Sequence, residues 1–214
     1  MIKSHVLAGA ALALLLAQAC NNPGKDKPKA EVADAVQAPV AAPAAQAGAV
    51  AYKFGPPDSK VEYVGAKVTK KHEGSFGNFS GTIQVPEGNA EKGSVTAEID
   101  VATITSDDAK LTNHLKSPDF FDVQKFPKAR FTSTSIKAGG EGGKSHTITG
   151  NLELKNVTKS ITFPANVRVE GDTVHVDAEF SIDRKDFGIV YPGMPDDLIR
   201  DEVLLKLKIQ AKKA

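Results

Sequence analysis

Alternation of apolar and polar residues, repeated over five separate stretches, constrains the fold of this chain more than any other feature. Val95, Ala97, Ile99 and Val101 alternate with Thr96, Glu98 and Asp100. Ile148, Leu152 and Leu154 oppose Thr149, Asn151, Glu153 and Lys155, and Ile161, Phe163, Ala165, Val167 and Val169 oppose Thr162, Asn166, Arg168 and Glu170. The same holds for Val174, Val176, Ala178, Phe180 and Ile182 against His175, Asp177, Glu179 and Ser181, and for Val203, Leu205, Leu207 and Ile209 against Lys206, Lys208 and Gln210. Successive side chains of a strand point to opposite faces, so a period of two marks half-buried strands rather than a helical stripe. Less regular strands near 60–70, 74–85 and 128–138 bring the expected number to eight. Turn-forming clusters separate several of them, at Glu87-Gly88-Asn89, at 139–143 and at Gly171-Asp172. Eight long strands with mostly short loops lose their unpaired edges by closing into an antiparallel barrel; a two-sheet sandwich is the alternative.

One segment departs from the alternation. Ser106 is placed to cap a short helix whose first turn carries Asp107 and Asp108, where the helix dipole favours negative charge. Leu111 and Leu115 fall on one face of that helix, and Pro118 ends it. The apolar pair Phe120-Phe121 follows. A helix lying over one end of a barrel covers the opening and buries that pair.

The chain starts like an exported bacterial protein. Lys3 precedes an apolar run from Val6 to Leu16, too short to span a bilayer, where about 20 apolar residues are needed. Ala17-Gln18-Ala19 suits ordinary signal peptidase; read with Cys20, the same residues resemble a lipobox, with Ala17 where leucine is usual. Cys20 is the only cysteine, and a lone unpaired thiol in an exported protein is a liability unless acylated, for instance with palmitate. The expected organisation is therefore a signal peptide over 1–19, a lipidated Cys20 with an Ala/Pro-rich tether over 20–51, and one folded domain over 52–214. The tether has few large apolar residues and, extended, reaches roughly 90 Å. The expected location is the cell envelope, anchored and facing the periplasm. Asn21 in place of an aspartate after the cysteine weakly favours the outer membrane, and a soluble periplasmic or secreted form is the alternative.

Charge excludes some partners. Removal of residues 1–19 takes Lys3 away, so the 27 basic residues become 26 against 26 acidic ones. A neutral chain lacks the clustered basic excess that nucleic acid requires. The histidines at 72, 114, 146 and 175 lack metal-ligand spacing, so no metal is expected. The run Ala138-Gly139-Gly140-Glu141-Gly142-Gly143-Lys144-Ser145 misses a phosphate-binding loop by its first glycine and precedes a strand pattern, so it reads as a hairpin turn. No nucleophile elbow is present, and neither a catalytic residue nor a cofactor is expected.

Four motifs resemble signatures of the YceI-like family. They are Gly74-Ser75-Phe76-Gly77-Asn78-Phe79-Ser80-Gly81-Thr82-Ile83; the stretch from Asn113 to Val123, running on through Lys125-Phe126-Pro127 to Phe131; Thr149-Gly150-Asn151-Leu152-Glu153-Leu154 with Val157-Thr158-Lys159; and Asp183-Arg184-Lys185-Asp186-Phe187-Gly188. The resemblance implies a lipocalin-like, eight-stranded antiparallel barrel holding a polyisoprenoid or similar long-chain lipid, without catalysis. A homodimer is left open, since related barrels often pair. Many members carry an acidic residue where this chain has Asn113.

On that reading the tunnel is lined by Phe79, Ile83, Ile99, Leu111, Leu115, Phe120, Phe121, Phe131, Leu152, Phe163, Phe180 and Leu205. A barrel of eight strands is just wide enough either to be filled by side chains or to hold one ligand. Both versions need apolar inward faces, so each of these residues also serves as plain core. His114 and Arg184 are candidates for a head-group contact. Against that stand a structural histidine on the helix and a local ion pair between Arg184 and the flanking Asp183 and Asp186.

Overall fold

The computed structural model describes residues 22–36 and 48–214; the expected signal peptide, Cys20, Asn21 and positions 37–47 of the expected tether lie outside them. The strands are β1 (Glu31–Asp34), β2 (Ala49–Phe54), β3 (Lys60–Ala66), β4 (Lys71–Phe76), β5 (Phe79–Pro86), β6 (Ser94–Asp100) and β7 (Ile104–Ser106). After helix α1 (Ala109–Leu115) come β8 (Lys128–Gly140), β9 (Lys144–Leu154), β10 (Val157–Glu170), β11 (Thr173–Asp183), β12 (Gly193–Met194), β13 (Asp197–Leu198) and β14 (Glu202–Lys213).

Three pairs of these strands are single staves interrupted by a kink. β2 and β3 both pair with β14, β4 and β5 pair with β3 and β2 respectively, and β6 and β7 pair with β5 and β4. The staves are thus β2–β3, β4–β5, β6–β7, β8, β9, β10, β11 and β14, each antiparallel to the next, and β14 closes the ring onto the first. This is the expected eight-stranded barrel; a sandwich would leave the hydrogen-bond ring open. The sequence reading missed β2 because Ala49-Val50-Ala51 continues an Ala-rich stretch. At the first kink Ser59 bridges the broken ladder, its Oγ donating to Gln210 O (3.2 Å) and accepting from Gln210 N (3.0 Å).

The 139–143 cluster is the expected hairpin, with Gly140 paired to Lys144. Turns 87–89, 141–143 and 171–172 share one end of the barrel with the C-terminus. Segments 67–70, 107–127 and 184–201 gather at the other end.

Two motif glycines have a packing reason. A Cβ at Gly81 would fall inside the Phe54 ring, and one at Gly150 would strike the Phe131 ring and Thr132 O. Each aromatic ring packs against bare backbone on the inner wall. Gly150→Val is therefore expected to cost about 1–3 kcal/mol through overpacking, measured by urea denaturation; an unchanged midpoint would refute the contact.

The segment read as a tether is partly built into the wall. β11 pairs with β10 only over Thr173–Asp177, and below the point where the two strands separate β1 adds to β10, matching Glu31 with Thr162 and Asp34 with Lys159. Ala30 N donates to Ser181 O (2.8 Å) and Ser181 N to Pro28 O (2.9 Å), so residues 28–34 fill the seam. Upstream, Gly24 lies against the Ser181 side chain and Asn22 Nδ2 donates to Glu202 Oε2 (2.7 Å). Composition hid this, because a four-residue edge strand gains its energy from backbone hydrogen bonds supplied by β10 rather than from large apolar side chains.

Candidate functional site

The barrel interior encloses a cavity of about 630 Å³. Its wall comes from the inward positions of every stave. Phe79, Ile83, Ile99, Phe131, Leu152, Phe163, Phe180 and Leu205 border this cavity from the staves, and Leu111, Leu115, Phe120 and Phe121 border it from α1 and the turn after it. Leu205, Leu207 and Ile209 point inward yet remain only partly buried, because they face open space rather than packed atoms. A filled core would bury them completely. Phe163 and Phe180 stack at 4.2 Å between ring centroids, with Phe131 tilted against Phe163 at 5.9 Å, giving one side of the cavity a flat aromatic floor.

The two ends differ. Toward the 87–89 turn, Val85, Ile136, Ile148 and Val174 are buried and leave only a residual void of about 20 Å³ beside the main cavity. The opposite end is ringed by Lys67, His72, Asp108, Lys110, His114, Tyr191, Met194 and Asp197, which also border the cavity. This is the mouth.

α1 hangs over the mouth, and its start differs from expectation. Asp108, not Ser106, is the N-cap, accepting from Lys110 N (2.8 Å) and Leu111 N (3.1 Å). Ser106 is held extended by the β4–β7 ladder, so the next good cap takes over. Those two backbone N–H groups hold the Asp108 carboxyl below its ordinary range, Leu111 contributing most. Asp107 is lowered as well, chiefly by His72, whose Nδ1 lies 2.8 Å from its Oδ1. Across the mouth, Asp197 is lowered foremost by Lys67 and also by the Thr69 hydroxyl and backbone N–H. Tyr63, buried in the wall with its hydroxyl donating to Thr105 O (2.9 Å), is pushed up to about 12, mainly by burial.

Both polar candidates border the cavity, in different settings. His114 borders the mouth within an aromatic cluster, its ring 4.9 Å from Phe120 and 5.0 Å from Tyr191. Its Nε2 is 2.8 Å from Asp119 Oδ2, so an acid does orient this histidine, from five positions downstream and not from position 113. Arg184 borders the cavity as well, but it is only 5% exposed and its guanidinium makes three hydrogen bonds within the protein. Nε donates to Arg200 O (3.1 Å), Nη1 to Ile189 O (2.7 Å) and Nη2 to Asp201 Oδ1 (3.0 Å). Its acidic partner is Asp201 rather than the flanking Asp183 or Asp186; Asp183 instead caps the following turn by accepting from Lys185 N. Arg184 thus pins the 184–201 excursion onto the barrel rim.

Sequence reasoning missed the lining that this excursion contributes: Ile189, Tyr191, Met194 and Ile199. The available signal was the apolar run Ile189-Val190-Tyr191 between two strands, which a search for alternation passes over because proline and glycine follow it.

The comparisons agree with this geometry. The YceI-like domain model matches residues 52–211. A UPF0312 protein of Pseudomonas putida (strain W619) is 32% identical over 142 residues, covering 64% of this chain and 71% of the relative. Protein YceI of Salmonella arizonae is 38% identical over 122 residues, or 54% of this chain and 62% of the relative. Among solved structures, BcnA of Burkholderia cenocepacia superposes with a TM-score of 0.63 at 29% identity, over 72% of this chain and 96% of that one. A polyisoprenoid-binding domain from Saccharophagus degradans, implicated in plant cell wall breakdown, shares the fold with a TM-score of 0.59 at 14% identity, over 76% and 98% of the two chains. With the family model spanning the barrel and the four sequence motifs in place on it, the chain belongs to the YceI-like family.

Proposed function

We propose that this protein binds a long-chain isoprenoid or quinone-like lipid without catalysis, and sequesters or carries it in the bacterial envelope. The observation that carries this reading is the cavity of about 630 Å³, apolar along the barrel and polar only at its mouth. Such a shape takes a chain tail-first and leaves a head group among Tyr191, His114, Lys110 and Asp108. Burial is worth about 0.8 kcal/mol per methylene, so a few isoprene units offset the cost of ordering the ligand. The Saccharophagus degradans neighbour, a polyisoprenoid-binding domain of the same fold, supports the ligand class. Lipidation of Cys20 places the protein on a membrane facing the periplasm. The other reading, a structural or stress-related envelope protein with a filled barrel, has the open interior against it.

Native mass spectrometry of the exported protein, followed by lipid identification, tests the proposal and reports the oligomeric state in the same spectrum. The expected result is an added mass that denaturation releases and that fragments as an isoprenoid or quinone. A bare polypeptide mass that persists after incubation with excess polyprenol and quinone would sink it.

A further inference from the structure

We infer that the mouth end of the barrel docks directly into a phospholipid bilayer, so that cargo passes between membrane and cavity without crossing water. This deepens the lipid-binding proposal and rests on it for the cargo, but the docking surface stands on its own observations. Among the described residues six large apolar side chains are exposed, and four of them ring the mouth: Val68 (55%), Val190 (62%), Met194 (62%) and Leu198 (49%). They form one rim. Val68 N donates to Leu198 O (3.1 Å), Met194 pairs with Asp197 in the β12–β13 hairpin, and Ile199 N donates to Pro192 O (2.9 Å). Lys67 is tied to Asp197, which clamps the 67–70 turn to the hairpin. The turns at the closed end are instead built from Glu87, Asn89, Glu141 and Asp172 with glycines. Exposed apolar side chains concentrated at one opening mark an interaction surface rather than the ordinary scatter of a soluble protein.

The N-terminal segment identifies the occupant. Asn22 is fixed to Glu202, the first residue of β14, and Glu202 lies opposite Asp183, the last residue of β11, at the mouth end. Cys20 is two residues further on, so it reaches no more than about 7 Å beyond Asn22 even fully extended. The roughly 90 Å tether expected from composition is thereby cut to a short stub, because residues 22–34 are bound along the wall. An acyl chain on Cys20 and the apolar rim then enter the same bilayer from the same end. Charge plays a lesser part: Lys70 and Lys110 are exposed at this end, but Asp108, Asp196 and Asp197 lie on the segments gathered there too, so insertion of Val190, Met194 and Leu198 drives docking.

The test uses the exported chain carrying Cys20→Ser, which removes both the anchor and the only natural thiol. An environment-sensitive fluorophore on Met194→Cys is compared with the same label on Glu141→Cys at the closed end. On addition of phosphatidylcholine vesicles, with and without phosphatidylglycerol, the label at 194 is expected to shift to the blue and to be quenched by brominated acyl chains, while the label at 141 does neither. Val190→Asp with Leu198→Asp, checked for folding by circular dichroism, should lower the vesicle-bound fraction about tenfold. Equal response at both positions, no response at 194, or full binding by the double variant would overturn the proposal. Uptake of detergent-delivered polyprenol by the double variant separates the two readings: it persists if only docking fails, and is absent in every variant if the lipid-binding proposal fails.

Discussion

Arg184→Ala is expected to destabilise the protein by about 2–4 kcal/mol, a large share of the stability of an ordinary domain, because it takes a charged donor away from two backbone carbonyls. The substitution leaves two carbonyls, Ile189 O and Arg200 O, without their donor, and Asp201 with Lys185 alone. The loss then propagates: Ile189, Tyr191 and Ile199 lie on the segment that these bonds pin down, and all three line the cavity. Arg184→Lys should recover less than half of the loss, since an ammonium keeps the charge but cannot donate in the planar fork. Urea denaturation measures both. A head-group role predicts the opposite pattern, with a stable fold and lost ligand, so a variant with an unchanged midpoint and weakened lipid binding would overturn the structural role.

Ala97→Trp separates cavity from core just as sharply. Ala97 sits on β6 between Gly81 and Phe131 in the strand register and faces the open interior. An indole there displaces about four methylenes of any bound chain, at about 0.8 kcal/mol each, or roughly a hundredfold or more in affinity. The fold should hold or gain stability, because the new ring enters space and not packed atoms. Fluorescence displacement of a labelled polyprenol, read beside the thermal midpoint, shows both effects. A lowered midpoint with unchanged binding would mean the space near Ala97 is already filled.

The barrel was legible in the sequence because a strand with one face on an apolar interior and the other in water must alternate. β11 and β14 alternate through Phe180 and Leu205, and the structure pairs those two residues directly across the wall. The short helix was legible too, in Leu111 and Leu115 with a stop at Pro118, although its cap lies at Asp108. Arg184 shows where such reading stops. Its sequence neighbours Asp183 and Asp186 look like its partners, yet its guanidinium reaches Asp201 and two carbonyls brought in by a loop.

Alternation and turn composition thus determined, from the sequence alone, the strand class and the number of staves, since these depend on local periodicity and on which face meets water. Three things were left to the tertiary structure. Whether the barrel is open or packed depends on the sum of side-chain volumes across a closed ring, which no single strand encodes; the result is a cavity of about 630 Å³. Which end opens depends on where the 67–70, 107–127 and 184–201 segments gather, a matter of how the staves meet. That residues 28–34 are wall rather than tether depends on the seam where β10 and β11 part, which offers backbone donors and acceptors that exist only once the barrel has formed.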